Sequence, residues 1–150
     1  MKGYNVEHDI TDERGYRQVV IRMDRPYARH RCGYVGIPAG HPLHGKDYDA
    51  PSKFKLGEMQ TQESNPVGTY FALCALSEGD EFAIISYAAN VNGGITYADG
   101  SPTYPVDNDG LWWFGYDCAH IDDVDDGGKP LSFCIDECEK LAAFLEKAGA

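Results

Sequence analysis

The sequence predicts one α+β domain: an antiparallel or mixed sheet of about five strands with a C-terminal helix packed on one face. Three observations carry that expectation. Apolar residues recur with a period of two in short stretches between residues 18 and 120, clusters of Gly, Pro, Asn and Asp separate those stretches, and residues 130–148 hold a sustained helical period. A chain of 150 residues can bury a core without disulfides or a structural metal, so a single domain over 1–150 is expected.

Residues 1–15 are polar, with Tyr4 and Val6 as apolar anchors, and read as a turn or a short edge strand. Gln18–Asp24 places Val19, Ile21 and Met23 on one face and Val20, Arg22 and Asp24 on the other, which is the pattern of a half-buried strand. Arg25, Arg29 and Arg31 then form the one local concentration of positive charge, either a cationic pocket wall or a solvated face, before Tyr34, Val35 and Ile37 turn the chain apolar. The next stretch, PAGHPLHGKDYDAP at 38–51, contains Pro38, Gly40, Pro42, Gly45 and Pro51, so it is expected to be an ordered, turn-rich loop.

Residues 53–66 are polar and read as a linker or excursion. The runs VGTYFALCAL (67–76) and EFAIISYAA (81–89) flank a Gly79-Asp80 turn and predict a hairpin, although the first run also fits a short buried helix over 67–77. Gly93-Gly94 allows a bulge, Ile95, Thr96 and Tyr97 favour a strand, and Asp99-Gly100 turns the chain into a Pro-rich connection ending at Asp109-Gly110.

Leu111–His120, LWWFGYDCAH, is the densest chemistry in the chain. Trp112, Phe114, Tyr116 and Cys118 share one face and Leu111, Trp113, Gly115 and Asp117 the other, so a central strand covered on both sides is expected, with Asp117, Cys118 and His120 at its C-terminal end. The following loop carries four aspartates at 122–126 but lacks the alternation and terminal Glu of a calcium loop, and reads as solvated. Over 130–148, Leu131, Cys134, Ile135, Cys138, Leu141, Ala142 and Leu145 form a buried helical stripe, with Pro130 at the start and Asp136 spaced to pair with Lys140.

The formal charge of −11 argues against nonspecific binding to nucleic acid or anionic membrane, and favours either solubility or a basic partner. The N-terminal residues lack the apolar core of a signal peptide, and no run reaches the roughly 20 apolar residues of a membrane span, so a cytosolic protein is expected. Five cysteines then read as reduced thiols, and Cys134 and Cys138 as core residues of the helix.

Three blocks, GYVGIPAGHPLHGKDYD at 33–49, NGGITYA at 92–98 and WWFGYDCAH at 112–120, followed by a DECEKLAAFL helix, are similar to those of a family of small, functionally uncharacterised proteins encoded by phages and prophages. In that family GHPxxGxDY, HGGLTY and WWFGFDCAH motifs recur in this order. Asn92 stands where the family carries histidine, and residues 50–90 look like an insertion relative to shorter members. The resemblance implies accessory work in the bacterial cytoplasm, including counter-defence, and brings no established reaction.

The residues themselves predict a pocket where the 38–49 loop converges with 117–120. His41, His44, Lys46, Asp47, Tyr48, Tyr97, Trp113, Asp117 and His120 are the expected ligand-binding residues, suited to a small anionic or nucleotide-like molecule. A hydrolase would draw on His120, Cys118, Asp117, His41 and Asp47, with Cys118 and His120 about 6–7 Å apart along an extended strand. No metal or cofactor is implied, because His41 and His44 lack the cysteine pair or HExxH helix of a zinc site. The remaining readings are an acidic inhibitor of a host protein, with the 122–126 loop as its contact, and a homo-oligomer.

Overall fold

The computed structural model describes residues 3–24, 26, 29–55, 82–89, 91, 94–117 and 130–149. Its elements are β1 (Tyr4–Thr11), β2 (Arg17–Met23), β3 (Arg31–Ile37), β4 (Pro51–Lys55), β5 (Phe82–Ile84), α1 (Ile85–Ala89), β6 (Tyr97–Asp99), β7 (Trp112–Asp117) and α2 (Leu131–Gly149). Five strands form one antiparallel sheet in the order β1-β2-β3-β7-β6, and β4 pairs with β5 in a separate antiparallel ribbon. The α+β expectation holds: the C-terminal helix lies on one face of this sheet, against β2 and β3.

The central strands are apolar on both faces because both faces are covered. Val20, Val35, Ile37, Phe114 and Tyr116 join Cys134, Cys138, Leu141, Ala142 and Leu145 of α2 in one core. Val19, Ile21, Cys32, Tyr34 and Trp113 form a second core on the opposite face, closed by Val106 and Tyr104 from the β6–β7 connection. That connection is pinned by Asn108, whose amide donates to Ser101 O (2.9 Å) and Val106 O (3.0 Å) and accepts from Leu111 N (3.2 Å). The half-buried reading of β2 is therefore corrected: Val19, Val20 and Ile21 are all fully buried, because α2 covers the Val20 face that the sequence left to solvent while the Pro-rich connection covers the Val19 and Ile21 face.

Two Gly-Tyr dipeptides lock β3 to β7. The register sets Gly33 opposite Tyr116 and Tyr34 opposite Gly115. Each ring lies across the facing glycine, so a Cβ at Gly33 would strike the Tyr116 ring and one at Gly115 would come within 2.5 Å of Tyr34. The rings emerge on opposite faces, and Tyr116 reaches down to donate to Cys134 O of α2 at 2.6 Å.

At the sheet's outer edge β1 has a register shift between Val6 and His8. A bulge there twists the edge and hinders pairing with another strand. The turn after β1 is tied to α2 by Arg14, which contacts Asp12 (3.0 Å), Glu139 (2.8 Å) and Glu146 (3.3 Å), while buried Gln18 donates to Asp12 (2.9 Å) and Glu139 (3.2 Å).

Three further expectations are corrected. The 81–89 run is strand only over Phe82–Ile84, which pairs with β4; from Ile85 it is helical, and Ile85 and Ala89, four residues apart, share its buried side. A continuous apolar run has no period to separate strand from buried helix. In α2, Lys140 lies 3.5 Å from Glu137, one turn back, in place of the expected Asp136. Leu131 and Ile135 are half-buried, and Phe144 and Ala148 complete the buried stripe toward the C-terminus. The expected helix over 67–77, the Gly79-Asp80 hairpin turn and the 122–126 loop lie outside the described residues.

Candidate functional site

The 38–50 loop is a chain of tight turns, because its prolines and glycines forbid a ladder and its amides close locally: His41 N on Pro38 O, His44 N on His41 O, Lys46 N on Leu43 O and Ala50 N on Asp47 O, all at 3.0–3.1 Å. Its two histidines bond back to the rest of the fold. His41 is 8% exposed and fills a gap between Tyr16, whose ring centroid is 5.7 Å away, and the end of α2. Its Nδ1 accepts from Leu43 N (3.0 Å), so Nε2 carries the hydrogen and donates to Leu145 O at 2.6 Å, one of the carbonyls near the end of the helix. A Cβ at Gly149 would lie 2.9 Å from that nitrogen, which is why glycine ends the helix there. With both ring nitrogens occupied, His41 has no lone pair left for a metal or a proton-transfer step.

His44 points its Nε2 to Gly110 O (2.9 Å) and lies beside Trp112, whose own indole donates to Lys46 O (2.9 Å). The loop is thereby stapled to the beginning of β7. Lys46, Asp47, Tyr48 and Asp49 remain exposed, with Asp47 Oδ1 accepting from Tyr48 N at 2.7 Å.

The register separates this loop from the other expected site residues. Ile37, where the loop begins, faces Trp112, whereas Asp117 faces Cys32 at the other end of β7. Five steps along a strand span about 17 Å, so Asp117 and the loop sit at opposite ends of the sheet and the convergence expected from the sequence does not form around Asp117. Trp113 is fully buried on the face away from α2, and among the described residues its indole N–H has no partner. Tyr97 lies on that same face. Cys118 and His120 are outside the described residues, and among those described no three His, Cys, Asp or Glu side chains are grouped to hold a metal ion.

Two clusters were missed from the sequence. One is a concave surface lined by Asp12, Glu13, Arg14, Glu139 and Glu146 between the β1–β2 turn and α2. Arg14 sits within it as its own counter-ion and holds the Glu139 carboxyl below the ordinary range. Burial pushes Asp12 up, but bonds from Gln18, Tyr16 N and Arg14 outweigh it and keep the group low. The other is a group of four tyrosines, Tyr4, Tyr34, Tyr97 and Tyr104, with ring centroids 5.3–5.6 Å apart. Neither has a spacing signature, since the first joins the β1–β2 turn to α2 across more than 120 residues and the second joins four separate segments.

The chain matches no family model, no curated protein and no solved structure. Its chemistry is therefore read from the arrangement alone. Arg17 makes a two-point pair with Asp9 (2.8 and 2.7 Å) and Arg31 contacts Glu7 at 2.6 Å, so among the described residues Arg14, Arg17, Arg31 and Lys140 are held by carboxylates. Asp47, Asp49, Asp99, Asp107, Asp109 and Asp136 are exposed. No described helix is long and apolar enough to cross a membrane.

Proposed function

We propose that the protein acts by binding a basic partner protein through its acidic surface, as an accessory protein of phage or prophage origin that counters host defence in the bacterial cytoplasm. The observation that supports the binding mode is the acidic balance of the surface: the formal charge is −11, Arg14, Arg17, Arg31 and Lys140 are each engaged by carboxylates, and Asp47, Asp49, Asp99, Asp107, Asp109 and Asp136 stand exposed. Such a surface steers and selects a partner of opposite charge. The phage setting is supported by the three sequence blocks alone. The small-ligand reading loses its anchors, because His41 is a buried structural bridge, Trp113 is core and Asp117 stands at the far end of the sheet. The hydrolase reading rests on Cys118 and His120 and draws no support from the described residues.

Affinity capture from a bacterial lysate tests this. Washing at salt raised from about 0.1 M to about 1 M shortens the Debye length from about 10 Å to about 3 Å, and a basic host protein should elute across that range and rebind when purified. If no salt-sensitive partner is retained while a nucleotide raises the melting temperature by several degrees, the protein binds small molecules instead.

A further inference from the structure

We infer that the surface formed by Tyr4, Tyr97 and Tyr104 with Asp99 and Asp107 is where the partner docks, and that the partner presents an arginine-rich segment to it. This rests on the reading that the protein binds a basic partner, and names the surface and the recognising chemistry. The three rings are contiguous, with Tyr4 and Tyr97 5.3 and 5.6 Å from Tyr104; each is half-buried, and Tyr97 and Tyr104 pack edge-on against buried Tyr34. They are already fixed: Tyr4 donates to Pro105 O at 2.8 Å, Tyr104 and Tyr34 share a hydroxyl contact at 2.5 Å, and Ser101 Oγ accepts from Tyr104 N at 3.0 Å. Rings held in place lose little entropy on binding, which is why tyrosine is favoured at interfaces.

The carboxylates stand at the margin of the rings. Asp99 and Asp107 are exposed, Asp99 Oδ2 lies 3.4 Å from the Tyr97 hydroxyl, and the Asp107 charge adds to burial in raising the Tyr4 phenol. Arg17 donates to Asp107 O but its guanidinium is forked onto Asp9. An arginine side chain matches this combination, because its flat guanidinium stacks on an aromatic face and forks onto a carboxylate, whereas an ammonium does only the second well. The concavity at Asp12, Glu13, Glu139 and Glu146 is the weaker site, since Arg14 already occupies its carboxylates.

A hexa-arginine peptide is the probe, titrated into the labelled protein at low salt with amide shifts as the readout. Shifts should centre on Tyr4, Tyr97 and Tyr104; a double substitution Asp99→Asn with Asp107→Asn should weaken binding by about tenfold, and a hexa-lysine peptide should bind several-fold less tightly. Glu13→Gln with Glu146→Gln should change affinity by less than about twofold. Shifts centred on the Arg14 concavity, wild-type affinity in the aspartate variant, or no binding of the arginine peptide each overturn the inference. If the aspartate variant retains the host partner with unchanged salt dependence, this face is wrong and the basic-partner reading stands; if no basic protein is captured at all, that reading falls.

Discussion

Adding one methyl group at Gly115 should cost about 3 kcal/mol, because the Tyr34 ring already occupies the space. A Cβ there would lie 2.5 and 2.6 Å from two ring carbons and 3.2 Å from Gly33 O. Carbon atoms rest about 3.5–4.0 Å apart, so the ring must withdraw by about 1 Å. It has no room to do so: Tyr34 is 5% exposed, edge-on to Tyr97 and Tyr104 at 5.4 Å, and hydroxyl-bonded to Tyr104. Overpacking then falls at the upper end of the usual range of about 1–3 kcal/mol, one aromatic pair is loosened at about 1 kcal/mol, and the reduced freedom of the unfolded chain returns about 0.7 kcal/mol. Gly115 is absent from the positive-φ glycines, so no backbone strain enters. Urea unfolding with a slope near 2 kcal/mol/M would show Gly115→Ala as a midpoint lowered by roughly 1.5 M. In a Tyr34→Ala background the methyl is freed of the ring and keeps only the 3.2 Å approach to Gly33 O, so it should cost little and the double-mutant cycle should return a coupling of about 2–3 kcal/mol. A single-variant effect under about 0.5 kcal/mol, or the same cost in both backgrounds, would refute the ring-over-glycine account.

Three other perturbations report on separate parts of the molecule. His41→Ala leaves Leu43 N and Leu145 O without their partner and should cost about 2–4 kcal/mol, with hydrogen-exchange protection lost at Leu43 but partner binding by the folded fraction intact; loss of binding with unchanged stability would instead make His41 a contact residue. Arg17 hydrogen bonds hold the Asp9 carboxyl low, and Arg14 does the same for Glu139. Folded-state values below the unfolded ones mean that these pairs stabilise the fold fully above the ordinary carboxylate range near pH 4 and lose that contribution as pH falls through the lowered values; Arg17→Gln should flatten this part of the acid-unfolding curve, and a profile parallel to wild type would count against the pair. At the alkaline end burial, then the Asp99 charge, pushes Tyr97 up to about 12, so stability that depends on the neutral phenol is lost as pH rises beyond about 10. Asp99→Asn should let Tyr97 ionise earlier in a phenolate absorbance titration, and an unmoved curve would separate the two groups.

The β7 strand and the α2 helix were legible because each carries a period over enough residues to fix its exposed and buried sides. Trp112 and Trp113 fell on opposite faces as alternation requires, and Cys134 and Cys138 landed in the core as the helical stripe requires. The loop at 38–51 was legible as a loop from its prolines and glycines. Its purpose was not: a histidine in such a loop reads as chemistry, and only the position of the α2 terminus makes His41 a bridge to Leu145 O. The 81–89 run was ambiguous for a local reason, since a run without alternation fits a strand and a buried helical turn equally.

What the sequence by itself determined is the fold class, the two-sided burial of the strand at 112–117, the helix on the sheet and the acidic balance. These follow from local periodicity and from counting, which need no knowledge of partners in space. What only the tertiary structure decided is which residues share a site. The antiparallel register of β3 against β7 carries Asp117 to the end of the sheet away from the 38–50 loop, and the same register seats each tyrosine over the facing glycine. The Pro-rich connection, unreadable as an element, folds over the second face and gathers Tyr4, Tyr34, Tyr97 and Tyr104 from four separate segments. Register and loop placement are settled by contacts between residues far apart in the chain, and no short-range pattern encodes them.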